Sequence, residues 1–516
     1  MLLHSIVLST LLLCTCTLAA SVKNAVDPLS ACYAYNHRAK RVKESFLFAY
    51  NGYKKCAWGH DELLPVNCQY SDSRNHWGGV STIVDGLDTM LIMGLEKEYN
   101  EALSFISSLD FKKSETLSKG FETNIRYLGG LLAANDLRPN HLLVTKAVEL
   151  AEAALVPLFV KTTRGLRVPY TNMNLKTGKP EVVKEINLAE FGTYTMEFTR
   201  LSQVTGDLKY ERLAMDLTKA IMAQPTKLPG LYPNTWTVDP FLPVESSGGG
   251  DSFYEYLIKN YLLQESKDKD LLTTWQNSVE SIEKYLLSPT AKDPSIQFVA
   301  MLSINSVYYA SQELICFWPG NILLGITQVS NRSKQREYLK LADVFFKSCI
   351  ETWIKTTTGI APESWTWTPA NDALETRLSQ VFNNTLSRAK VNIEETQQAQ
   401  RAFTISNPLY DLRPETIESI FYYYRLTGKK MYQDLAWELY LSIDRYTKTA
   451  YGYTAINNVD KAPSPLENFQ ESFLFAETMK YLYLIFTNKN CISLDDYVFN
   501  TEAHPFKLPQ SIRYQY

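Results

Sequence analysis

The chain has 516 residues, more than a single hydrophobic core usually accommodates, so its length predicts either several domains or one large repeated architecture. A net charge of −3 argues against nucleic acid or an anionic membrane surface as a partner. Aromatic residues make up 12% of the chain and include 32 Tyr, which suit stacking on sugar rings but more often fill the cores and rims of helical proteins.

Residues 1–20 form an apolar run that ends in small residues, as a secretory signal peptide does. The run is short for a membrane span, which needs about 20 apolar residues. Its amino end offers only His4 and the terminal amine as positive charge, so a cleaved signal peptide and an uncleaved signal anchor are both open. We expect the protein in the endoplasmic reticulum or Golgi lumen or secreted, with membrane contact only if this segment is an anchor.

An even number of cysteines follows residues 1–20, which in a secretory context predicts disulfide bonds but does not fix their pairing. These are Cys32, Cys56, Cys68, Cys316, Cys349 and Cys491. Asn331 and Asn383 begin Asn-X-Ser/Thr sequons, which predict N-glycosylation if both lie on the surface.

Helical periodicity dominates from about Ala39 onward, and strand alternation is scarce. No Pro/Gly/Ser-rich boundary divides this region. We therefore predict a single domain over residues 39–510, preceded by an N-terminal segment at 21–38 and followed by a tail at 511–516. Residues 371–401 are polar and lack clear periodicity, which indicates a surface excursion.

An internal sequence repeat indicates the architecture. Residues 196–210 and 418–432 share one pattern, an apolar helix, Thr-Gly, a few residues, a Tyr and the next helix, and residues 89–99 repeat it faintly. Such a repeat is an αα-hairpin, which buries its faces only against its neighbours, in an open solenoid or a closed toroid. Acids near the amino ends of several predicted helices favour closure, because a ring would bring them to one cavity. They are Asp251, Glu415 and Glu471.

Glu122 and Arg126 are spaced i, i+4 beside an apolar stripe that ends at Leu132. A surface pair at this spacing would contribute only about 0.3–0.5 kcal/mol. The apolar stripe favours a half-buried pair instead. Gly129 and Gly130 cost the helix roughly 1 kcal/mol each relative to Ala, which implies close approach of another backbone or a ligand.

Arg413, Glu415 and Glu418 lie on the first turn of an otherwise apolar helix that Pro414 opens and Gly428 ends. Acids in a first turn also complement the helix dipole without any further role, and Asp251 alone would be an ordinary N-cap.

Several carboxylates in one cavity, without a Ser-His set or Cys/His metal spacing, are most simply the machinery of glycoside hydrolysis. One carboxyl must be protonated and another ionised. A helix amino end keeps Glu415 ionised, so we predict Glu415 as the base and Glu122 as the acid.

Five motifs in order resemble the class I α-1,2-mannosidases, glycoside hydrolase family 47, and the resemblance runs from about Ala39 to Pro505. The motifs are FETNIRYLGGLL, GGGDSFYEYLIK, LRPETIES, ESFLFAETMKYLYLIF and VFNTEAHP. The resemblance implies an all-α fold, a single (α/α)7 barrel with a few short β-hairpins. It also implies inverting, calcium-dependent removal of α-1,2-linked mannose from high-mannose N-glycans.

By position, Glu122, Asp251 and Glu415 match the family's three catalytic acids. Thr501 matches the residue that binds Ca²⁺ directly, through its hydroxyl and carbonyl oxygens; because Ca²⁺ takes about 6–8 oxygens, water and sugar hydroxyls must complete the shell. Positions that match the mannose subsite are Arg126, Glu363, Arg413, Glu418, Phe473, Glu477 and Glu502.

The resemblance also pairs Cys316 with Cys349. It leaves Cys56 with Cys68 as a local pair and Cys32 with Cys491 as the remaining one.

Two positions depart from the family pattern. Glu313 stands where the family usually has His, which puts one mannose contact in doubt, and Gly249 stands where the single-mannose enzymes of the endoplasmic reticulum carry Arg. We expect a monomer most like the fungal secreted or Golgi-type branch, trimming several mannoses. The alternatives are a lectin-like factor in glycoprotein degradation and an αα-toroid of the prenyl-transfer type, whose Asp-rich motifs or zinc ligands the sequence lacks.

Overall fold

The structure is a computed structural model, and it describes residues 29–33, 36–73, 81–114, 117–244, 251–303, 305–389 and 401–509. The predictions for residues 1–20, for Gly249, for the tail at 511–516 and for most of 21–38 fall outside these residues.

Fourteen helices build the framework of the described chain. They are α1 (His37–Cys56), α2 (Leu87–Ile92), α3 (Glu96–Ser108), α4 (Gly129–Leu137), α5 (His141–Leu150), α6 (Thr195–Thr205), α7 (Lys209–Met222), α8 (Asp251–Leu263), α9 (Lys269–Tyr285), α10 (Trp318–Ile326), α11 (Arg332–Ile354), α12 (Glu415–Thr427), α13 (Lys430–Tyr446) and α14 (Met479–Phe486).

These helices form a closed ring of seven pairs, six of which are hairpins of consecutive helices. The even-numbered helices are inner and pack in turn, α2 on α4, α4 on α6, and so on to α14, and the turn Leu474–Thr478 before α14 packs back on α2. Each odd-numbered helix packs outside one inner helix, and α1 covers α14, so the first and last helices complete one pair. The predicted all-α fold, an (α/α)7 barrel, is confirmed, and an open solenoid is excluded.

Burial follows this arrangement. Every residue of α14 is buried, and so is every residue of α8 after Asp251. Outer helices are amphipathic: α7 buries Tyr210, Ala214 and Leu217 on the stripe that faces α6.

The echoed Thr-Gly turns end inner helices as the sequence predicts. Gly206 after α6 and Gly428 after α12 have φ of +77° and +67°, the left-handed conformation that glycine adopts without a Cβ clash. The outer helix then begins within three residues, and Tyr210 and Tyr432 pack back on the inner helix through Phe198 and Tyr423.

Shorter helical segments connect the framework. They are Ser30–Cys32, Ser81–Asp85, Gly120–Glu122, Thr123–Leu128, Ala151–Leu155, Val156–Leu158, Leu188–Phe191, Glu313–Phe317, Ala373–Phe382 and Leu474–Thr478. Residues 373–382 correct the expectation of an irregular excursion at 371–401, because a short amphipathic helix there buries Leu374 and Leu378.

The strands are short and lie in the connections between helices, in sheets of two or three strands. They are β1 (Glu62–Leu64), β2 (Gln69–Ser71), β3 (Leu117–Lys119), β4 (Phe159–Lys161), β5 (Arg167–Pro169), β6 (Asn172–Asn174), β7 (Lys179–Pro180), β8 (Glu185–Asn187), β9 (Thr235–Thr237), β10 (Leu242–Val244), β11 (Leu287–Pro289), β12 (Gln297–Val299), β13 (Met301–Ser303), β14 (Ser306–Tyr308), β15 (Ala310–Gln312), β16 (Ser364–Thr366), β17 (Ser387–Arg388), β18 (Thr404–Asn407), β19 (Tyr497–Phe499) and β20 (Pro505–Lys507). The pairs are antiparallel except β14 with β17.

All three expected disulfides are present, Cys32–Cys491, Cys56–Cys68 and Cys316–Cys349. The sequon residues Asn331 and Asn383 are both exposed, as glycosylation would require. Across the described ranges, none of the helices combines the length and the apolar character that crossing a membrane demands.

Arg425 links α12 to the end of α14 and to the chain that follows it. It is buried, and its guanidinium donates to the carbonyl oxygens of Leu484 (2.9 Å), Lys489 (2.5 Å) and Cys491 (2.8 Å). The Leu484 carbonyl also accepts from Thr487 Oγ1, whereas the buried Cys491 carbonyl takes its hydrogen bond from Arg425.

We predict that Arg425→Met destabilises the protein by about 1–3 kcal/mol, the cost of leaving the buried Cys491 carbonyl without its donor. The measurement is urea unfolding followed by circular dichroism. Arg445→Met, on an exposed arginine of α13, is the matched control and should change the midpoint little. Equal midpoints for the two variants would contradict the role assigned to Arg425.

Candidate active site

Arg126 joins side chains from four separate segments. It lies in the π-helical turn Thr123–Leu128 that leads into α4. Its Nε donates to Glu122 Oε2 (2.6 Å), and its Nη1 donates to Glu502 Oε1 (2.6 Å) and Ser472 Oγ (3.0 Å) and lies 3.4 Å from Asp85 Oδ2. The Arg126 side chain is 10% exposed and that of Glu122 25%, so the predicted half-buried pair is confirmed.

Phe473 lies between this arginine and a second one. The guanidinium carbons of Arg126 and Arg413 are 5.5 Å and 5.7 Å from the centre of its ring. Arg413 in turn donates from Nε (3.0 Å) and Nη2 (2.7 Å) to the two oxygens of Glu363. Arg126, Arg413 and Glu363, which were predicted from separate motifs, therefore meet at the ring of Phe473.

Glu418 on α12 is held by a lysine from another inner helix of the barrel. Lys259 on α8 lies 3.3 Å from Glu418 Oε1 on α12, and it also bonds Glu255 on its own helix. All three side chains are buried. Because α10 separates α8 from α12 in the ring, this contact places Glu418 in the interior of the barrel.

Glu415 is the first residue of α12, and its Oε2 is buried with no hydrogen-bond partner among the described residues. Burial raises the pKa of Glu415 to about 7; Arg413 opposes the shift, and the nearby charges of Glu363 and Asp251 add to it. Burial outweighs the backbone contribution, so the helix amino end does not by itself keep the pKa of Glu415 in its usual range. Asp251, the first residue of α8, is close enough to act on the same carboxyl.

Glu477 and Glu502 complete the acidic group. Burial, and after it the charges of Glu502, Glu415 and Glu418, raise the pKa of Glu477 well above its usual range. Burial also raises the pKa of Glu502, against the opposing effect of Arg126. Glu477 is therefore close enough to Glu502, Glu415 and Glu418 for their charges to act on its carboxyl group.

Thr501 lies in the turn between β19 and β20. Asn500 shapes this turn: its Oδ1 accepts from the backbone N–H groups of Glu502 (3.0 Å) and His504 (2.8 Å), and its Nδ2 donates to Ile125 O (3.0 Å) and Glu197 Oε1 (2.8 Å). The turn is therefore fixed to the segment that carries Arg126.

The two glycines of α4 make room for this turn. A Cβ on Gly129 would lie 2.7 Å from Asn500 Nδ2 and 2.9 Å from His504 Cδ2, and one on Gly130 would lie 2.6 Å from the carbonyl oxygen of Val84. The predicted close approach is confirmed, and the partners are protein groups on both sides of the helix.

Thr501 is the residue that could offer oxygens to a cation. Its N–H donates to the hydroxyl of Tyr256 (3.3 Å), and neither of its oxygens takes a hydrogen bond from another described residue. No group of three or more His, Cys, Asp or Glu side chains in the described ranges is arranged to hold a metal ion. A cation bound at Thr501 would thus take few ligands directly from the protein.

Beneath the turn lies a buried group of ions. Lys480 Nζ lies 2.7 Å from Asp88 Oδ2 and donates to the carbonyl oxygen of Ala503 (2.7 Å), and His504 lies 3.3 Å from Asp88 and 3.5 Å from Asp85. Burial alone would raise the pKa of Asp88, but Lys480 and His504 outweigh it and hold the pKa below its usual value.

Residues 45–508 match the sequence profile of Glycosyl hydrolase family 47. The chain belongs to this family. It is 34% identical over 506 residues to the probable mannosyl-oligosaccharide alpha-1,2-mannosidase 1B of Aspergillus flavus, covering 91% of this chain and 92% of that protein. It is 35% identical over 487 residues to the mouse endoplasmic reticulum mannosyl-oligosaccharide 1,2-alpha-mannosidase, covering 92% of this chain and 68% of that one.

The solved structure of an alpha-1,2-mannosidase from Trichoderma reesei superposes on this family 47 chain with a TM-score of 0.83 and 31% identity, covering 92% of this chain and 100% of that one. Fungal and mammalian relatives match at nearly the same identity, so identity does not decide between the predicted fungal secreted or Golgi-type branch and the endoplasmic reticulum branch.

Several residues of the site in this glycosyl hydrolase were not predicted from the sequence. Glu255 and Lys259 could have been found, since they are spaced i, i+4 within the motif that begins at Asp251. Asp85, Ser472 and Lys480 carry no local signal, because their partners are more than 300 residues away along the chain or, for Ala503, a backbone carbonyl.

We predict that Lys480→Met destabilises the protein by about 3–5 kcal/mol, because it leaves the buried Asp88 carboxylate without its cation. Thermal unfolding at a fixed scan rate measures the effect. Lys448→Met removes a partly exposed pair with Asp444 and should cost no more than about 0.5 kcal/mol. A midpoint for Lys480→Met no lower than that of the control would show that the ion group does not support the turn.

Proposed function

We propose that this family 47 hydrolase is an inverting, calcium-dependent exo-α-1,2-mannosidase that removes several α-1,2-linked mannoses from high-mannose N-glycans in the secretory pathway. The observation that carries the proposal is the convergence of carboxyl groups from separate hairpins inside the ring, around the Phe473 ring that Arg126 and Arg413 share. The names of the Aspergillus and mouse relatives supply the substrate class. The three disulfides suit the oxidising lumen of that pathway.

Two carboxyl groups act as the general acid and the general base in this proposal. Glu122, whose side chain is partly exposed, protonates the leaving oxygen, and Glu415 takes a proton from the water that attacks the anomeric carbon from the opposite face. Arg413 and the amino end of α12 favour the ionised form of Glu415, so both act in the direction that a base requires. Asp251 lies close enough to Glu415 to assist in orienting the water.

The residues at Thr501 fit a calcium ion. Ca²⁺ prefers oxygen ligands and tolerates water among them, and Thr501 presents a hydroxyl and a carbonyl oxygen. In the interior next to this turn the carboxyls outnumber the cations: Arg126, Lys259 and Lys480 lie near Asp85, Glu122, Glu418, Glu477 and Glu502. A bound calcium would supply positive charge there and a template for the two hydroxyls of a terminal mannose.

The shape of the barrel suits removal of mannose from the end of a glycan chain. β19 packs on α8 and β20 packs on α4, and Phe499, His504 and Phe506 are fully buried, so the hairpin occupies the interior of the barrel. A binding site closed at one end by this hairpin would admit a terminal sugar but not the middle of a branch. The charged side chains around Phe473 would then contact the hydroxyls of that sugar.

The decisive experiment incubates the purified protein with a free high-mannose glycan. We expect stepwise loss of several mannoses by mass spectrometry, and β-mannose as the first anomer seen by NMR, since inversion converts the α linkage. A calcium chelator should abolish the release, and added calcium should restore it. Calcium should also raise the thermal midpoint of the wild type more than that of Thr501→Val, which keeps the carbonyl but loses the hydroxyl.

Each part of the proposal can fail separately. Release of α-mannose would exclude inversion, and a reaction that stops after one mannose would place the enzyme with the single-mannose type. Full activity in the chelator would exclude calcium dependence. Glycan binding without release would favour the lectin-like alternative.

We also predict that Glu122→Gln and Glu415→Gln each lower kcat by about 10²–10⁴-fold, the usual contribution of one general acid or base. Both variants should keep the wild-type circular dichroism spectrum, because Gln preserves the shape of Glu. Glu467→Gln, on an exposed residue outside the site, is the control and should leave kcat unchanged. A Glu415→Gln enzyme with full activity would remove Glu415 from the role of base.

A further inference from the structure

Glu313 is a fully buried carboxyl group directly behind the proposed base. It begins the 3₁₀ turn Glu313–Phe317, and its side chain is wholly inaccessible to solvent. One oxygen, Oε1, accepts from Trp353 Nε1 (3.0 Å) and from Thr416 Oγ1 (2.5 Å). Its Oε2 is also buried and has no hydrogen-bond partner among the described residues.

The position of Glu313 connects it to both Glu415 and Glu363. Thr416, which donates to Glu313, follows Glu415 directly in α12. The backbone N–H of Glu313 donates to the carbonyl oxygen of Glu363 (3.0 Å). Glu313 is therefore hydrogen-bonded to the residue that follows Glu415 and to the backbone of Glu363.

The charges around Glu313 do not balance if every carboxyl is ionised. The titratable groups that act on it are Glu415, Glu363 and the Tyr410 phenol. Arg413 is the cation beside Glu415, but it donates both of its short hydrogen bonds to Glu363. With that pair neutral, Glu313 and Glu415 would bring two like charges into a buried space, which the low dielectric there makes costly.

Glu313 is the more favourable place for the proton that this pair must hold. Glu415 has Arg413 and the amino end of α12 nearby, and both favour a carboxylate. Glu313 has neither. Trp353 and Thr416 donate to one of its oxygens, and the other meets no donor, as is also true of Oε2 of Glu415. Burial, with the charges of Glu415 and Glu363 adding to it, raises the pKa of Glu313 to about 8.

We propose that Glu313 is a positioning residue for Glu415: it holds the proton of this carboxyl pair as an uncharged acid, so that Glu415 is the member that ionises. The pair then titrates in two coupled steps, and the first proton released comes from Glu415. The consequence for catalysis rests on the proposed function, in which Glu415 is the base. The state of the pair itself does not depend on it.

The test compares Glu313→Gln and Glu313→His with the wild type, and Glu351→Gln, on the same helix as Trp353, is the control. The acid limb of the pH profile of kcat/KM reports ionisation of the base in the free enzyme. Gln is neutral like a protonated Glu, so that limb should stay where it is. His brings a group able to carry positive charge beside Glu415 and should move the limb to lower pH by about one unit or more.

A second readout is independent of activity. In the infrared difference spectrum of wild type minus Glu313→Gln, recorded with excess calcium at about pH 6, we expect one C=O band of a protonated carboxyl group that shifts in D₂O. If the wild type releases no mannose, the proposed function fails while this band still tests the state of Glu313.

Three results would overturn the inference. The first is an acid limb that moves to lower pH in Glu313→Gln, because removing a neighbouring negative charge has that effect. The second is the absence of the protonated carboxyl band. If Glu313→Gln does not fold, Glu313→His takes its place in both measurements, and failure of both variants to fold would show that Glu313 has only a packing role.

Discussion

The interaction on which the site depends is the neutralisation of buried carboxylates by a few buried cations. Arg126 alone contacts Glu122, Glu502, Ser472 and Asp85, which come from the beginning and the end of the chain. Removal from water makes each unpaired charge expensive, so the ring is stable only if these partners arrive together. The same cations fix the acids in place, but burial still raises the pKa of Glu502 beside Arg126, as it does for Glu415 and Glu313.

Much of this architecture could be predicted from the sequence because its signals are local. The Thr-Gly echo predicts hairpins, since Gly206 and Gly428 end their helices in a left-handed conformation that other residues adopt with difficulty. The i, i+4 spacing predicts the contact of Glu122 with Arg126. The glycines of α4 predict a close neighbour, although not which one. Resemblance to a family added the pairing of the cysteines.

What could not be predicted depends on distance along the chain and on burial. Asp85 and Lys480 have no neighbours in sequence that indicate their partners, because the ring alone brings those partners together. The raised pKa of Glu415 could not be predicted, because a helix amino end is visible in a sequence whereas the depth of burial that outweighs it is not. The helix Ala373–Phe382 was missed because its apolar face is short and surrounded by polar residues.

The pairing of α1 with α14, reinforced by the Cys32–Cys491 bond, has a consequence for synthesis of the chain. A ribosome delivers α1 first and its partner nearly last, so the apolar face of α1 has no native cover until almost the whole polypeptide has emerged. The turn that carries Thr501 arrives even later, in the gap left by the glycines of α4. Assembly of this barrel must therefore be largely post-translational, with its earliest helix exposed to the folding factors of its compartment in the meantime.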